Sequence, residues 1–198
     1  MKPLEEIYGP KFFARRDKLL WRAEIVCDAV DRVFHPLDVI DVGCGIGEYV
    51  QFWQEKLNIS AWGIEGVDHP YFVTKNIAIQ DMRLKQIVWP FANGRARIDK
   101  FDLAVCLEVL EHVEPEYANI FVENLTGLSD QILVSAAQPG QGGHYHVNCQ
   151  PKEWWLSKFM EFNYGYDDVL TCAIKQALQP WKHRRELYHN NLIFFSKG

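Results

Sequence analysis

The stretch Asp38-Val39-Ile40-Asp41-Val42-Gly43-Cys44-Gly45-Ile46-Gly47-Glu48 decides the reading of this chain. A short apolar strand runs into three glycines at alternate positions, and a helical pattern from Tyr49 to Leu57 follows. A strand, a glycine turn and a helix in that order open a ligand-binding α/β unit. Glycine permits the tight turn and lets a ligand approach the backbone closely. N–H groups at the helix start are available to ligand oxygens. The spacing departs from the dinucleotide fingerprint, because the third glycine comes one residue early and position 48 is Glu. Asp41 stands just before the loop. An anion there repels a pyrophosphate and suits a ligand carrying an ammonium group.

Working outward, Ala61 to Glu65, Asn76 to Gln80, Phe101 to Leu107 and Gln131 to Ala136 read as further strands, and Leu192 to Phe195 closes as another. Pro115 to Leu125 and Pro151 to Phe162 read as helices. Asp167 to Leu178 reads as a helix, or as a strand and then a helix. Strands alternating with helices predict an α/β fold, a mostly parallel sheet covered on both faces. In such a sheet the ligand lies beyond the C-terminal strand ends, where strand order reverses. That rule singles out Asp41 to Gly47, Glu65, Asp81 and Glu108. Upstream, Leu19, Ala23, Val26, Val30 and Val33 recur at helical spacing. Residues 1–36 therefore read as a helical leader stopped by Pro36, and 37–198 as the main domain. Tyr8, Phe12 and Phe13 give the leader the aromatic content of a lid.

The chain has 198 residues, 48% of them hydrophobic and 24% charged, with a net charge of −5. Those values fit one globular domain, and the charge calls for neither a nucleic-acid nor an anionic-membrane partner. The five cysteines (Cys27, Cys44, Cys106, Cys149 and Cys172) are odd in number and form no C-x-x-C pair. That predicts reduced thiols and a cytoplasmic setting. Met1 to Glu6 lacks the apolar run of a signal peptide, and no stretch is long enough to span a membrane.

Glu65 falls at the end of the second strand, where a carboxylate accepts hydrogen bonds from ribose hydroxyls. Asp81, with Met82 beside it, is placed to read an adenine amino group and cover its ring. The whole set suits a nucleoside with a cationic amino-acid tail. Here the sequence resembles the class I S-adenosylmethionine-dependent methyltransferases of the small-molecule type. The resemblance spans about residues 36–198 and rests on Asp41-x-Gly43-x-Gly45-x-Gly47, Glu65, Asp81-Met82, Phe101 through Val113, and Asn191 through Phe195. It implies a Rossmann-like, seven-stranded, mostly parallel sheet whose last strand pair is antiparallel. It also implies S-adenosyl-L-methionine as cofactor. Asp41, Gly43, Cys44, Gly45 and Gly47 would hold the methionine part, Glu65 and Gly66 the ribose, Asp81 and Met82 the adenine. Leu107 and Glu108 would form the floor. Asp68 is a rival to Glu65.

Past the fourth strand, Glu108-Val109-Leu110-Glu111-His112 puts two carboxylates and an imidazole on one face if the segment turns helical. Farther on, His144 and His146 alternate within Gly142-Gly143-His144-Tyr145-His146-Val147-Asn148, and in an extended segment they point the same way. Three readings compete. His112, His144 or His146 takes a proton from the acceptor as general base. Alternatively, Glu108, Glu111, His112 and His146 bind a divalent metal, as in the similar Glu-x-x-Glu-His of small-RNA 2′-O-methyltransferases and some quinone-biosynthesis enzymes. Or the cluster is structural. Neutral polar groups near Trp154 and Trp155 suit a small polar acceptor. The basic run Lys182-His183-Arg184-Arg185 reads as a solvated turn or an anion contact.

The expected activity is methyl transfer to an oxygen or nitrogen of a small molecule, by a monomer or homodimer. Rival readings are a metal-assisted RNA methyltransferase, a nicotinamide dehydrogenase and a non-catalytic cofactor-binding protein.

Overall fold

The computed structural model describes residues 1–14, 16, 20–85, 100–179 and 190–198. Two short helices, α1 (Leu4–Ile7) and α2 (Pro10–Phe13), precede the longer α3 (Leu20–Phe34). The main body then follows as β1 (Asp38–Val42), α4 (Glu48–Lys56), β2 (Ser60–Glu65), β3 (Ile77–Ile79), β4 (Leu103–Leu107), α5 (Ala118–Leu128), β5 (Gln131–Ser135), α6 (Lys152–Met160), β6 (Tyr164–Tyr166), α7 (Asp168–Leu178) and β7 (Leu192–Lys197).

The strands form one sheet in the order β3-β2-β1-β4-β5-β7-β6. All pairs are parallel except the two made by β7, which runs against β5 and β6. The chain moves outward from β1 to β3 and restarts on the other side with β4. The switch point therefore lies between β1 and β4, at their C-terminal ends.

Alternation along the strands builds a core on each face. Ile40, Ala104, Cys106, Ile132, Val134, Ile193 and Phe195 face α5 and α6, where Trp155 and Phe159 are buried. Phe159 stacks on Phe195 with ring centres 3.9 Å apart. Val39, Leu103, Val105, Leu133, Leu192 and Phe194 face the other way, against α3, α4 and α7.

The leader departs from the single helix read in the sequence. Pro10 disfavours helical geometry at the residue before it, and Gly9 is extended (φ −74°, ψ 171°), so the chain breaks between α1 and α2. Pro10 then starts α2 at the position where its missing N–H costs nothing. Leu19 lies outside the described residues. At the other end α3 stops two residues before Pro36, and His35 takes a left-handed φ of 52°. Asp167 caps α7 by accepting from the Leu170 N–H at 2.9 Å. Asp167 to Leu178 is therefore a helix with its cap, the first of the two alternatives, and β6 lies ahead of it at Tyr164–Tyr166, where the sequence reading placed no strand. The basic run at 182–185 lies outside the described residues.

Candidate active site

Three left-handed glycines turn the chain after β1: Gly43 (φ 73°), Gly45 (φ 61°) and Gly47 (φ 85°). A side chain at any of them is strained. Just upstream, Asp41 sits in register with Gly63 of β2 and Val105 of β4, in the middle of the sheet. It is buried, and its Oδ2 has no hydrogen-bond partner. Burial, and after it the Glu48 carboxylate, push the Asp41 acid well above the usual carboxylate range, while Arg16 pulls the other way. Glu48 is also buried, with Oε1 3.4 Å from Arg16 Nη2. Arg16 reaches down from the leader, and its Nε lies 2.6 Å from where a Cβ on Gly45 would stand.

Glu65 ends β2 and turns back onto the loop. Its Oε2 accepts from the Gly45 N–H and its Oε1 from the Gly66 N–H, each at 2.8 Å. Burial still raises its acid to about 7. Asp68, the rival, is exposed. Asp81 lies beyond β3, and Met82 beside it is buried. The Asp81 carboxylate is clasped by Arg83, with Nε 3.0 Å from Oδ1 and Nη2 2.8 Å from Oδ2.

A cavity of about 760 Å³, including its open mouth, joins these groups. Gly43, Gly45, Glu65, Gly66, Asp81, Met82, Glu108, Val109, His112 and Val113 are among its lining residues. A second, polar lobe of about 590 Å³ shares Gly43, Glu108 and Arg16 with it and reaches Asp41, Cys44, Leu107 and Arg22. The Cys44 side chain is buried and packs in the core.

Leader residues Leu4, Tyr8, Phe12 and Phe13 also line the cavity. Phe13 is buried and stacks on His69 at 3.7 Å, and His69 packs on Phe72 at 3.9 Å. His69 Nδ1 accepts the Tyr71 N–H at 3.3 Å, so its Nε2–H donates to the Gly45 carbonyl at 3.1 Å. One imidazole thus braces the leader against the glycine loop. Trp154 and Trp155 do not line the cavity; they sit on α6, with Trp155 in the core. The aromatic lining comes from the leader instead.

The acidic cluster after β4 takes a shape the sequence does not predict. Glu108 is left-handed (φ 55°), and only Leu110–His112 form a single 3-10 turn. Glu108 therefore leaves the shared face. Its Oε1 accepts the Ser135 hydroxyl at 2.7 Å. Glu111 is fully buried, and neither carboxylate oxygen has a hydrogen-bond partner. Burial, and then the Glu108 charge, raise its acid to about 8. Burial, then His146, hold the His112 imidazolium down to about 4, so the ring is neutral at ordinary pH.

His144 and His146 do not share a direction. Tyr145 between them is left-handed (φ 55°) and turns the chain. His144 goes to the leader, its Nε2 donating to the Ile7 carbonyl at 2.9 Å while its ring meets Tyr8 and Phe12. His146 goes to the acidic cluster, with its ring centre 4.8 Å from that of His112 and its Nε2 4.0 Å from Glu111 Oε1. Ligating atoms of Glu111, His112 and His146 all lie within 4.8 Å of one another. Glu108 is outside that set.

Residues the sequence reading missed are Arg16, His69, Arg83 and Glu114. Each acts through a contact distant in sequence or through a turn, with no periodic signal to mark it.

The family model described as "Methyltransferase domain" matches residues 19–134, more than half the chain. The chain belongs to that family. No curated protein matches it. Among solved structures it is similar to the plantazolicin methyltransferase BpumL in complex with SAH (13% identity, 99% of this chain, 94% of that chain, TM-score 0.59). It is similar also to the magnesium protoporphyrin IX methyltransferase ChlM from Synechocystis PCC 6803 with bound SAH (14% identity, 99% and 93%, TM-score 0.58). The [4+2]-cyclase SpnF shares the fold (14% identity, 87% and 79%, TM-score 0.55). The fold is the Rossmann-like methyltransferase fold. Among the described residues no helix is long and apolar enough to cross a membrane.

Proposed function

We propose that this cleft takes S-adenosylmethionine and that the protein moves its methyl group to an oxygen or nitrogen of a small polar acceptor. The observation that carries this reading is the buried, unpartnered Asp41 Oδ2 beside three left-handed glycines. A buried carboxylate oxygen without a partner is costly, and a ligand ammonium satisfies it. Both named relatives crystallised with SAH support the same donor. In this reading Gly43, Cys44, Gly45, Gly47, Leu107 and Glu108 surround the amino-acid tail, Glu65 and Gly66 face the ribose, and Asp81 and Met82 the adenine.

The donor supplies an activated methyl, because its sulfur leaves as a neutral thioether. The chain must align the acceptor and remove one proton. Of the three candidate histidines, His112 lines the cavity. Its Nδ1 lies 3.3 Å from the Tyr145 carbonyl, which only accepts, so Nδ1 carries the hydrogen and Nε2 keeps the lone pair. We assign the proton-accepting role to His112 and the holding of the leader to His144. The first 36 residues act as the lid, through α1 and α2.

A second reading rests on Glu111. Two buried oxygens without partners, beside two imidazoles, fit a divalent cation that would polarise an acceptor oxygen. Full activity after thorough chelation excludes it.

Calorimetry with S-adenosylhomocysteine and transfer of labelled methyl to fractionated extract test the main reading. No heat on mixing refutes it. Heat without transfer to any fraction leaves a binding protein.

A further inference from the structure

Arg83 is where three parts of the cleft meet. Its guanidinium is buried, with its side chain 4% exposed. Nε and Nη2 clasp Asp81, and Nη1 lies 3.0 Å from both oxygens of Glu114. Nη2 also donates to the Lys2 carbonyl at 3.1 Å, at the start of the leader. Glu114 Oε1 in turn accepts the Tyr145 hydroxyl at 3.2 Å, and the Tyr145 carbonyl meets His112. One planar fork thus joins the adenine end of the cleft, the leader and the histidine loop. A lysine ammonium has no such fork and cannot meet three partners in those directions.

We propose that Arg83 is a positioning residue that couples donor binding to closure of the leader. An ionised carboxylate has about four acceptor positions, so Asp81 holds Arg83 and a ligand N–H together. A nucleoside base bound there stiffens Asp81, Asp81 holds the guanidinium, and the guanidinium holds Lys2. Closure of the acceptor chamber then follows loading of the donor. The coupling rests on the reading of Asp81 as donor-facing; the link from Arg83 to the leader does not.

The test is amide exchange at Glu6, Tyr8, Phe12 and Ala14, whose N–H groups close the turns of α1 and α2. It is run on the wild type and on Arg83→Lys, with and without S-adenosylhomocysteine. Without ligand, the substitution accelerates exchange at these amides by about tenfold, while amides of β4 and β5 are unchanged. With ligand, the wild-type leader slows further and the variant leader does not. In turnover, Arg83→Lys raises the acceptor KM more than it lowers kcat. Equal leader exchange in the two proteins overturns the proposal. Faster exchange in the variant, with no ligand effect in a wild type that binds the ligand by calorimetry, overturns the coupling. No ligand binding in the wild type refutes the donor reading instead, and leaves the ligand-free comparison to decide the leader link. If Arg83→Lys does not fold, Glu114→Gln replaces it, since that change removes one charge from the clasp. It too must loosen the leader, and an unchanged leader there counts against the proposal.

Discussion

Replacing Glu65 by glutamine gives a prediction in which sign and size both come from the structure. The Glu65 acid moves from an ordinary 4.5 to about 7 on folding, chiefly through burial. The neutral form is therefore favoured in the folded chain. Between those values the folded state binds more protons than the unfolded state, so stability falls as pH rises through the window. The loss amounts to about 3 kcal/mol, complete above pH 7 and absent below 4.5. The glutamine side chain does not ionise. Its amide leaves one of the Gly45 and Gly66 N–H groups facing an NH₂, a cost of about 1–3 kcal/mol that does not vary with pH. Urea unfolding of both proteins from pH 5 to 8.5, without ligand, isolates the titrating part. Glu65→Gln gains on the wild type by about 3 kcal/mol across that range, whatever the offset at pH 5. Donor binding runs the opposite way. Ribose hydroxyls donate to the ionised carboxylate, so wild-type affinity for S-adenosylhomocysteine rises toward pH 7 by up to about tenfold per pH unit, and that of the variant stays flat. A stability difference that is constant with pH refutes the placement of Glu65 as a buried acid.

His112→Gln abolishes turnover with little change in donor affinity, and the wild-type rate keeps its acid limb near pH 4 rather than near 6.5, as pH–rate profiles will show. Gly43→Ala forces a side chain into a left-handed position 2.5 Å from Val109 Cγ2, and calorimetry will find donor binding lost. A methyl group on Gly143 falls on the His146 ring, so Gly143→Ala lowers activity as His146→Ala does, with a small change in melting temperature. Phe159→Ala removes a fully buried ring stacked on Phe195 and costs about 3–5 kcal/mol in denaturant melts, at unchanged donor affinity per folded molecule.

The parts of this protein legible in its sequence are those governed by period and by glycine. β1, β2, β4 and β5 stand where short apolar runs placed them, because a strand covered on both faces must be apolar throughout. Gly43, Gly45 and Gly47 make the tight turn read from the sequence, each with a left-handed φ. What escaped was set by single residues acting on the backbone. Pro10 divided the leader, Asp167 separated β6 from α7, and left-handed Glu108 and Tyr145 redirected side chains that regular geometry would have aligned. The Arg83 clasp escaped for another reason. Asp81 reaches it through a local turn, while Glu114 and Lys2 are brought to it only by the folded chain.

The two ends of the cleft are built from different material. In the proposed reading the donor is held by residues at the strand ends, such as Gly43, Glu65 and Glu108, which the sheet fixes in place. Tyr8, Phe12 and the Ile7 carbonyl come from two single-turn helices before residue 14 that contribute no strand. A library varied only at 8 and 12 would shift which molecules are methylated and, wherever it loosens the leader, would weaken S-adenosylhomocysteine binding as well, so that one scaffold is retargeted through its first dozen residues.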